Sequence, residues 1–207
     1  MRTVVVDGSP LTVDDVVAVA LGHASAIPGD DLDSRMAPAR ALVQQVVDND
    51  EVVYGITTGF GALASTRIPP ERATDLQYDL IRSHAAGVGD LMSPEIVRAM
   101  LLCRARTLAQ GHSGVRPVVV RTLLALLAHN ILPAVPAQGS VGASGDLAPF
   151  AHLALPLIGE GFVLGEMGRL PSLPALEAAG IDPLRLEAKE GLSLLNGTEG
   201  MLAQGCL

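Results

Sequence analysis

Apolar residues recur at helical spacing along most of the chain, and polar residues fill the positions between them. Leu11, Val13, Val16, Val17, Ala20 and Leu21 follow Ser9-Pro10 and predict a first helix. Leu42, Val43, Val46 and Val47 repeat the pattern within Ala39 to Val47. Pro69-Pro70 opens a segment carrying Ala73, Leu76, Tyr78, Leu80 and Ile81, since proline suits a first helical turn, where its missing N–H is no loss. Ser93-Pro94-Glu95 supplies an N-cap and a proline for a helix reaching about Gln110. The segment from Pro117 to about His129 is apolar on most faces, which suits a core or a subunit interface. Asp146 to Ile158 reads as a helix interrupted at Pro156, Gly159 to Pro171 as a short hairpin or ordered loop, and Lys189 to Leu207 as one last helix.

Asn130 to Gly145 breaks this regularity. It holds Pro133, Pro136, Gly139, Gly142 and Gly145 and shows no period. A long aperiodic loop between strong helices is often where function sits.

Composition narrows the function classes. The 207 residues carry 14 Lys+Arg against 22 Asp+Glu, a formal net charge of -8, with 49% hydrophobic and 2% aromatic residues. An acidic chain poor in rings is a poor nucleic-acid binder, and its apolar content excludes disorder. No stretch approaches the ~18 apolar residues of a membrane span. Val118 to Ala128, the best candidate, is broken by Arg121, and Met1 to Pro10 lacks the basic and apolar regions of a signal peptide. Cys103 and Cys206 make no disulfide framework, so a reducing cytoplasm is the expected compartment. The mean hydropathy of +0.39 is high for so short a soluble chain.

The chemistry centres on Gly139-Ser-Val-Gly-Ala-Ser-Gly-Asp-Leu-Ala-Pro-Phe150. Read plainly, this is a glycine-rich turn capping a helix through Ser144 or Asp146, with N–H groups free for an anion. It lacks the lysine of a phosphate-binding loop. A sharper reading attends to Ala143-Ser144-Gly145. Such a tripeptide can cyclise to a 4-methylidene-imidazol-5-one: the Gly145 nitrogen attacks the Ala143 carbonyl carbon and two waters leave, one with the Ser144 hydroxyl. Glycine has no Cβ to block the approach, alanine keeps the other side uncrowded, and serine provides the departing β-oxygen. A conjugated, planar amide is a poor nucleophile, so the fold must bend this loop.

Four separated segments carry a resemblance: Tyr54-Gly-Ile-Thr-Thr-Gly-Phe-Gly61, Ser83-His-Ala-Ala-Gly-Val-Gly89, Gly139 to Phe150, and Lys189-Glu-Gly-Leu-Ser-Leu-Leu-Asn-Gly-Thr198. In content and order they resemble the aromatic amino acid ammonia-lyase family, and most closely its histidine-specific branch. The resemblance implies a mainly α fold: a cofactor-loop domain over residues 1–188, then the first helix of a long central bundle from residue 189. It implies a self-made imidazolone, no metal or nucleotide, a homotetramer, an amino acid substrate, and non-oxidative deamination of L-histidine to urocanate and ammonia. Members of the family are more than twice this length, so the chain is expected to be an N-terminal portion, inactive alone. A tyrosine ammonia-lyase or aminomutase, or a non-catalytic remnant or interaction module, are the alternatives.

By the same resemblance Ser144 becomes the electrophile, approached by either the substrate amine or its ring. Tyr54 takes the substrate β-proton, although a phenol with a pKa near ~10 needs electrostatic help to do so. Gly55, Gly59 and Gly61 let its loop close as a lid. His84 reads the substrate side chain. It suits an imidazole or a phenol, because a plain phenyl would strand the ring nitrogen at a cost of ~1–3 kcal/mol. Asn196 stabilises an oxyanion or binds the amine, and Asp146 either caps a helix or supports cyclisation. The ordinary alternatives are a loop tyrosine for Tyr54, a dipole-compensating histidine for His84 and an interhelical tie for Asn196. His23, His112, His129 and His152 show no metal-site spacing, and His152, a turn or two past the loop, is a candidate support for it. Gly-Ala-Ser-Gly-Asp is also not the Gly-x-Ser-x-Gly elbow of a serine hydrolase.

Overall fold

The computed structural model describes residues 2–61, 64, 66–69, 72–142 and 144–207. Pro70 and Ala143, both named above, lie outside them. The described chain is mainly α. It opens with a unit the helical pattern does not announce. Strand β1 (Arg2–Val6), helix α1 (Val13–Ala20) and strand β2 (Ala24–Pro28) form a βαβ crossover, with β1 and β2 parallel from Arg2↔Ala24 to Val6↔Pro28. The β-branched run Val4-Val5-Val6 explains β1. Helix α1 starts at Thr12 rather than Ser9-Pro10, because Thr12 and Asp15 form a capping box: Asp15 N donates to Thr12 Oγ1 at 3.1 Å and Thr12 N to Asp15 Oδ2 at 2.9 Å.

Helix α2 spans Leu32–Asp48 and α3 spans Ala73–His84. Strand β3 (Val88–Leu91) leads into α4 (Pro94–Ala109), which Ser93 caps as its sequence predicts. Helix α4 packs against α1 and against α5 (Pro117–Ala128), and its residues Met100, Leu101, Leu102, Ala105 and Leu108 are buried. Helix α5 buries Val119, Val120, Leu123, Leu124 and Leu126 within the chain itself, so its apolar character serves the core.

The aperiodic stretch contains one short strand, β4 (Pro136–Gln138), paired antiparallel and irregularly with β3. Helix α6 (Leu147–Ala154) follows, ends before Pro156 as expected, and passes through a 3-10 turn, Pro156–Ile158. The hairpin is β5 (Phe162–Gly165) and β6 (Gly168–Pro171), and α7 spans Ser172–Ala178.

The last segment departs from expectation. Instead of one helix it forms α8 (Glu190–Leu195) and α9 (Glu199–Cys206), separated at Asn196-Gly197-Thr198. Both pieces join the main core through Leu194, Leu195 and Ala203. The start of α8 is fixed by Glu190, 0% exposed, whose carboxylate accepts from Arg116 Nε at 2.9 Å and Nη2 at 2.8 Å.

Candidate active site

The break between α8 and α9 lies against the glycine loop. Asp146 N donates to Gly197 O at 2.7 Å, and a Cβ on Gly145 (φ +125°) would meet that same oxygen at 2.8 Å. Gly142 (φ +69°), just before the tripeptide, and Gly145, its last residue, therefore bend the chain as few other residues can. The backbone of Gly145 and Asp146 thus lies close against residues 196–197. Ser144 is exposed and Gly145 buried; nothing is described of Ala143.

Asp146 corrects one expectation. It stands at the N-cap position of α6 but makes no side-chain cap there. Its carboxylate, 1% exposed, accepts from Ser140 Oγ at 2.6 Å and from Met201 N at 2.9 Å. It thus caps α9 from across the fold, where free N–H groups and the positive end of the helix dipole favour an anion.

Ser144 lines a cavity of about 340 Å³ together with Tyr54, His84 and Asn196, and with Phe60, Leu80, Leu147, Leu192 and Leu195. Four of the residues singled out in the sequence thus meet in one apolar-walled cleft, from segments up to 142 positions apart (196 − 54). Tyr54 is exposed, its ring edge-on to Phe60 with centroids 6.2 Å apart. Gly55 (φ +74°) lets the chain turn there and pass close to Leu192, whose Cδ2 a Cβ would press at 2.8 Å.

His84 ends α3 with its Nδ1 2.9 Å from Leu80 O. A carbonyl only accepts, so Nδ1 is the donor, and the tautomer with a single ring N–H there has Nε2 as its acceptor. Asn196 leaves α8 in extended conformation (φ −85°, ψ 99°), with its N–H on Leu192 O at 2.9 Å.

Two supports were not named from the sequence, and a third, His152, was a candidate by its position after the loop. Ser140 holds the Asp146 carboxylate. Arg104, in α4, reaches the carbonyls around Asn196. His152 in α6 accepts at Nε2 from Gly87 N at 3.0 Å, tying the turn after His84 to the helix after the loop. Burial, with the charge of Arg169, pushes the His152 pKa down and keeps that nitrogen free to accept. The only local signal for Arg104 was a guanidinium within the apolar run from Ala99 to Ala105. Among the described residues no group of His, Cys, Asp and Glu could hold a metal ion, and no helix is long and apolar enough to cross a membrane.

This fold and cleft define a lyase scaffold: residues 11–207 match the aromatic amino acid lyase family, to which the chain belongs. Its relatives include the histidine ammonia-lyase of Gloeobacter violaceus, 52% identical with 98% of this chain and 40% of that protein aligned. That of Koribacter versatilis is 47% identical over 100% of this chain and 40% of its own length. Among solved structures, tyrosine aminomutase from Streptomyces globisporus superposes with a TM-score of 0.93 at 39% identity, over 99% of this chain and 38% of that one. Histidine ammonia-lyase from Trypanosoma cruzi gives 0.89 at 39% identity, over 100% and 39%. The chain spans about 40% of the length of the curated relatives it matches.

Proposed function

We propose that this chain is the N-terminal portion of a lyase that removes ammonia from L-histidine to give urocanate. The observation that carries the reading is the convergence of Tyr54, His84, Ser144 and Asn196 on one cleft. Residues 1–188 would form the cofactor-bearing domain and residues from 189 would open a helical bundle. The whole protein would act in the cytoplasm as a homotetramer.

Ala143, Ser144 and Gly145 would hold the imidazolone, which supplies an electrophile and so makes ammonia a better leaving group. The remaining work belongs to side chains already in the cleft. Tyr54, as its phenolate, would accept the substrate β-proton and become the phenol. The His84 Nε2 acceptor suits a ring N–H of the substrate. The Asn196 amide can donate to a developing oxyanion or accept from the substrate amine. Leu80, Leu147, Leu192 and Leu195 line the cleft and would offer apolar surface to the faces of the substrate ring.

The test is intact mass and turnover of the whole protein. Wild type should weigh two water molecules less than its sequence and convert L-histidine to urocanate. Ser144→Ala should keep the full mass, fold normally and lose turnover; an active Ser144→Ala protein refutes the cofactor. L-tyrosine is the competing substrate, because His84 Nε2 would also take a phenol O–H, and the likeness to a tyrosine aminomutase makes that comparison necessary. Preference for L-tyrosine would move the chain to the tyrosine-specific branch. The 207-residue chain alone should show no urocanate production.

A further inference from the structure

Arg104 occupies the middle of α4 between apolar neighbours and is 1% exposed. An arginine so deep needs partners for its charge and its five N–H groups. It finds them at the break between α8 and α9. Nε donates to Leu194 O at 3.2 Å, Nη2 to Ser193 O at 2.6 Å and to Asn196 O at 2.8 Å, and Nη1 to Glu199 Oε1 at 2.8 Å. Its plane lies over the Phe150 ring of α6, 4.9 Å from the centroid.

Those carbonyls are ones a helix C-terminus leaves without partners. Many helices resolve this with a left-handed glycine that folds the chain back. Here the guanidinium takes them, and a cation at that end also suits the helix dipole. The chain can therefore leave α8 extended at Asn196. Gly197 completes the arrangement, since a Cβ there would run into both Arg104 Nη1 and Glu199 Oε2. Glu199 Oε2, buried and without a hydrogen-bond partner, shows that this carboxylate is committed to Arg104 rather than to a wider network.

We infer that Arg104 is the positioning residue for Asn196: it grips the Asn196 carbonyl and so holds the amide side chain at the cleft. Arg104 does not itself line the cleft, so its effect on the reaction passes through Asn196. Lysine cannot replace it, because a single ammonium lacks the planar fork that reaches three carbonyls and a carboxylate at once. The inference rests on the reading of the cleft as a lyase site.

The test is a double-mutant cycle in the whole lyase, with Arg104→Lys, Asn196→Ala and the pair, together with a crystal structure of Arg104→Lys. Arg104→Lys should lower kcat about tenfold or more while KM changes less than about threefold. The pair should lie within about twofold of Asn196→Ala alone, because the second change removes what the first was holding. In the crystal structure the Asn196 amide should have left the cleft with α4 and α8 still in register. Losses that multiply, an unchanged kcat, or an Asn196 amide still in place would each overturn the inference while leaving the lyase reading intact. A wild-type protein that neither deaminates histidine nor loses two waters overturns both. If Arg104→Lys does not fold, Gly197→Ala, which presses on the same guanidinium, takes its place in the cycle with the same expectations.

Discussion

Gly145 and His152 show how single atoms set the cleft. At Gly145 the chain is left-handed and the space for a Cβ is filled by a backbone carbonyl that cannot step aside. Gly145→Ala should therefore cost about 1–3 kcal/mol, read by urea unfolding, and should block the loss of two waters. His152 gives a pH signature. The unfolded chain takes up a proton near the ordinary histidine value of 6.5, whereas the buried ring, facing the charge of Arg169, resists it. The unfolded state thus binds more protons as pH falls below 6.5, so this contribution to stability is complete above that value and is lost on acidification. Melting temperature should drop more steeply from about pH 7 to about pH 5.5 in wild type than in His152→Gln, which keeps an acceptor for Gly87 N; equal slopes would remove His152 from the account. Cys103 makes a simpler case. Burial pushes its thiol up to about 12, so native protein should leave Cys103 unalkylated at mildly alkaline pH.

At the scale of elements, most helices were legible because each rests on local information: a cap, a proline at the first turn, an apolar stripe. Helix α1 is the informative near miss. Thr12-Val-Asp-Asp15 spells a capping box, and that local signal overrides Ser9-Pro10 as the start. Thr12→Ala should cost about 1 kcal/mol and lower the melting temperature by about 2–4 °C. The division of the last segment into α8 and α9 was not legible, although Asn196-Gly197-Thr198 are turn-forming residues. Leucines on both sides keep a helical period, and what stabilises the break comes from far away: Arg104 on the carbonyls of α8, and Asp146 on the N–H groups of α9. The β1–β2 ladder was missed for a related reason, since a parallel pair is joined only through its crossover helix. The candidate site was legible as residue types on four motifs. Its supports Ser140 and Arg104 sit outside the logic of composition and period, because what they hold, the Asp146 carboxylate and the carbonyls of α8, is set only by the fold, and the partner of His152, Gly87 N, is 65 positions away.

Across the whole molecule, apolar groups are unevenly covered. Helix α5 buries most of its large apolar side chains within its own chain, whereas Met201 and Leu202 of α9 remain 45% and 57% exposed. The isolated 207-residue chain should self-associate through such a face. Met201→Glu with Leu202→Glu should reduce light scattering at equal concentration, and unchanged scattering would locate the association elsewhere. The clamp on the glycine loop also has a meaning in time. The loop is held by Gly197 and by Met201, the latter 55 positions after Asp146. On a ribosome adding about 5–20 residues per second, the tripeptide is synthesised several seconds before the segment that bends it. A ring closure dependent on that bend is thus withheld from the nascent chain. The electrophile would appear only after α9 has docked and the cleft around Ser144 has formed.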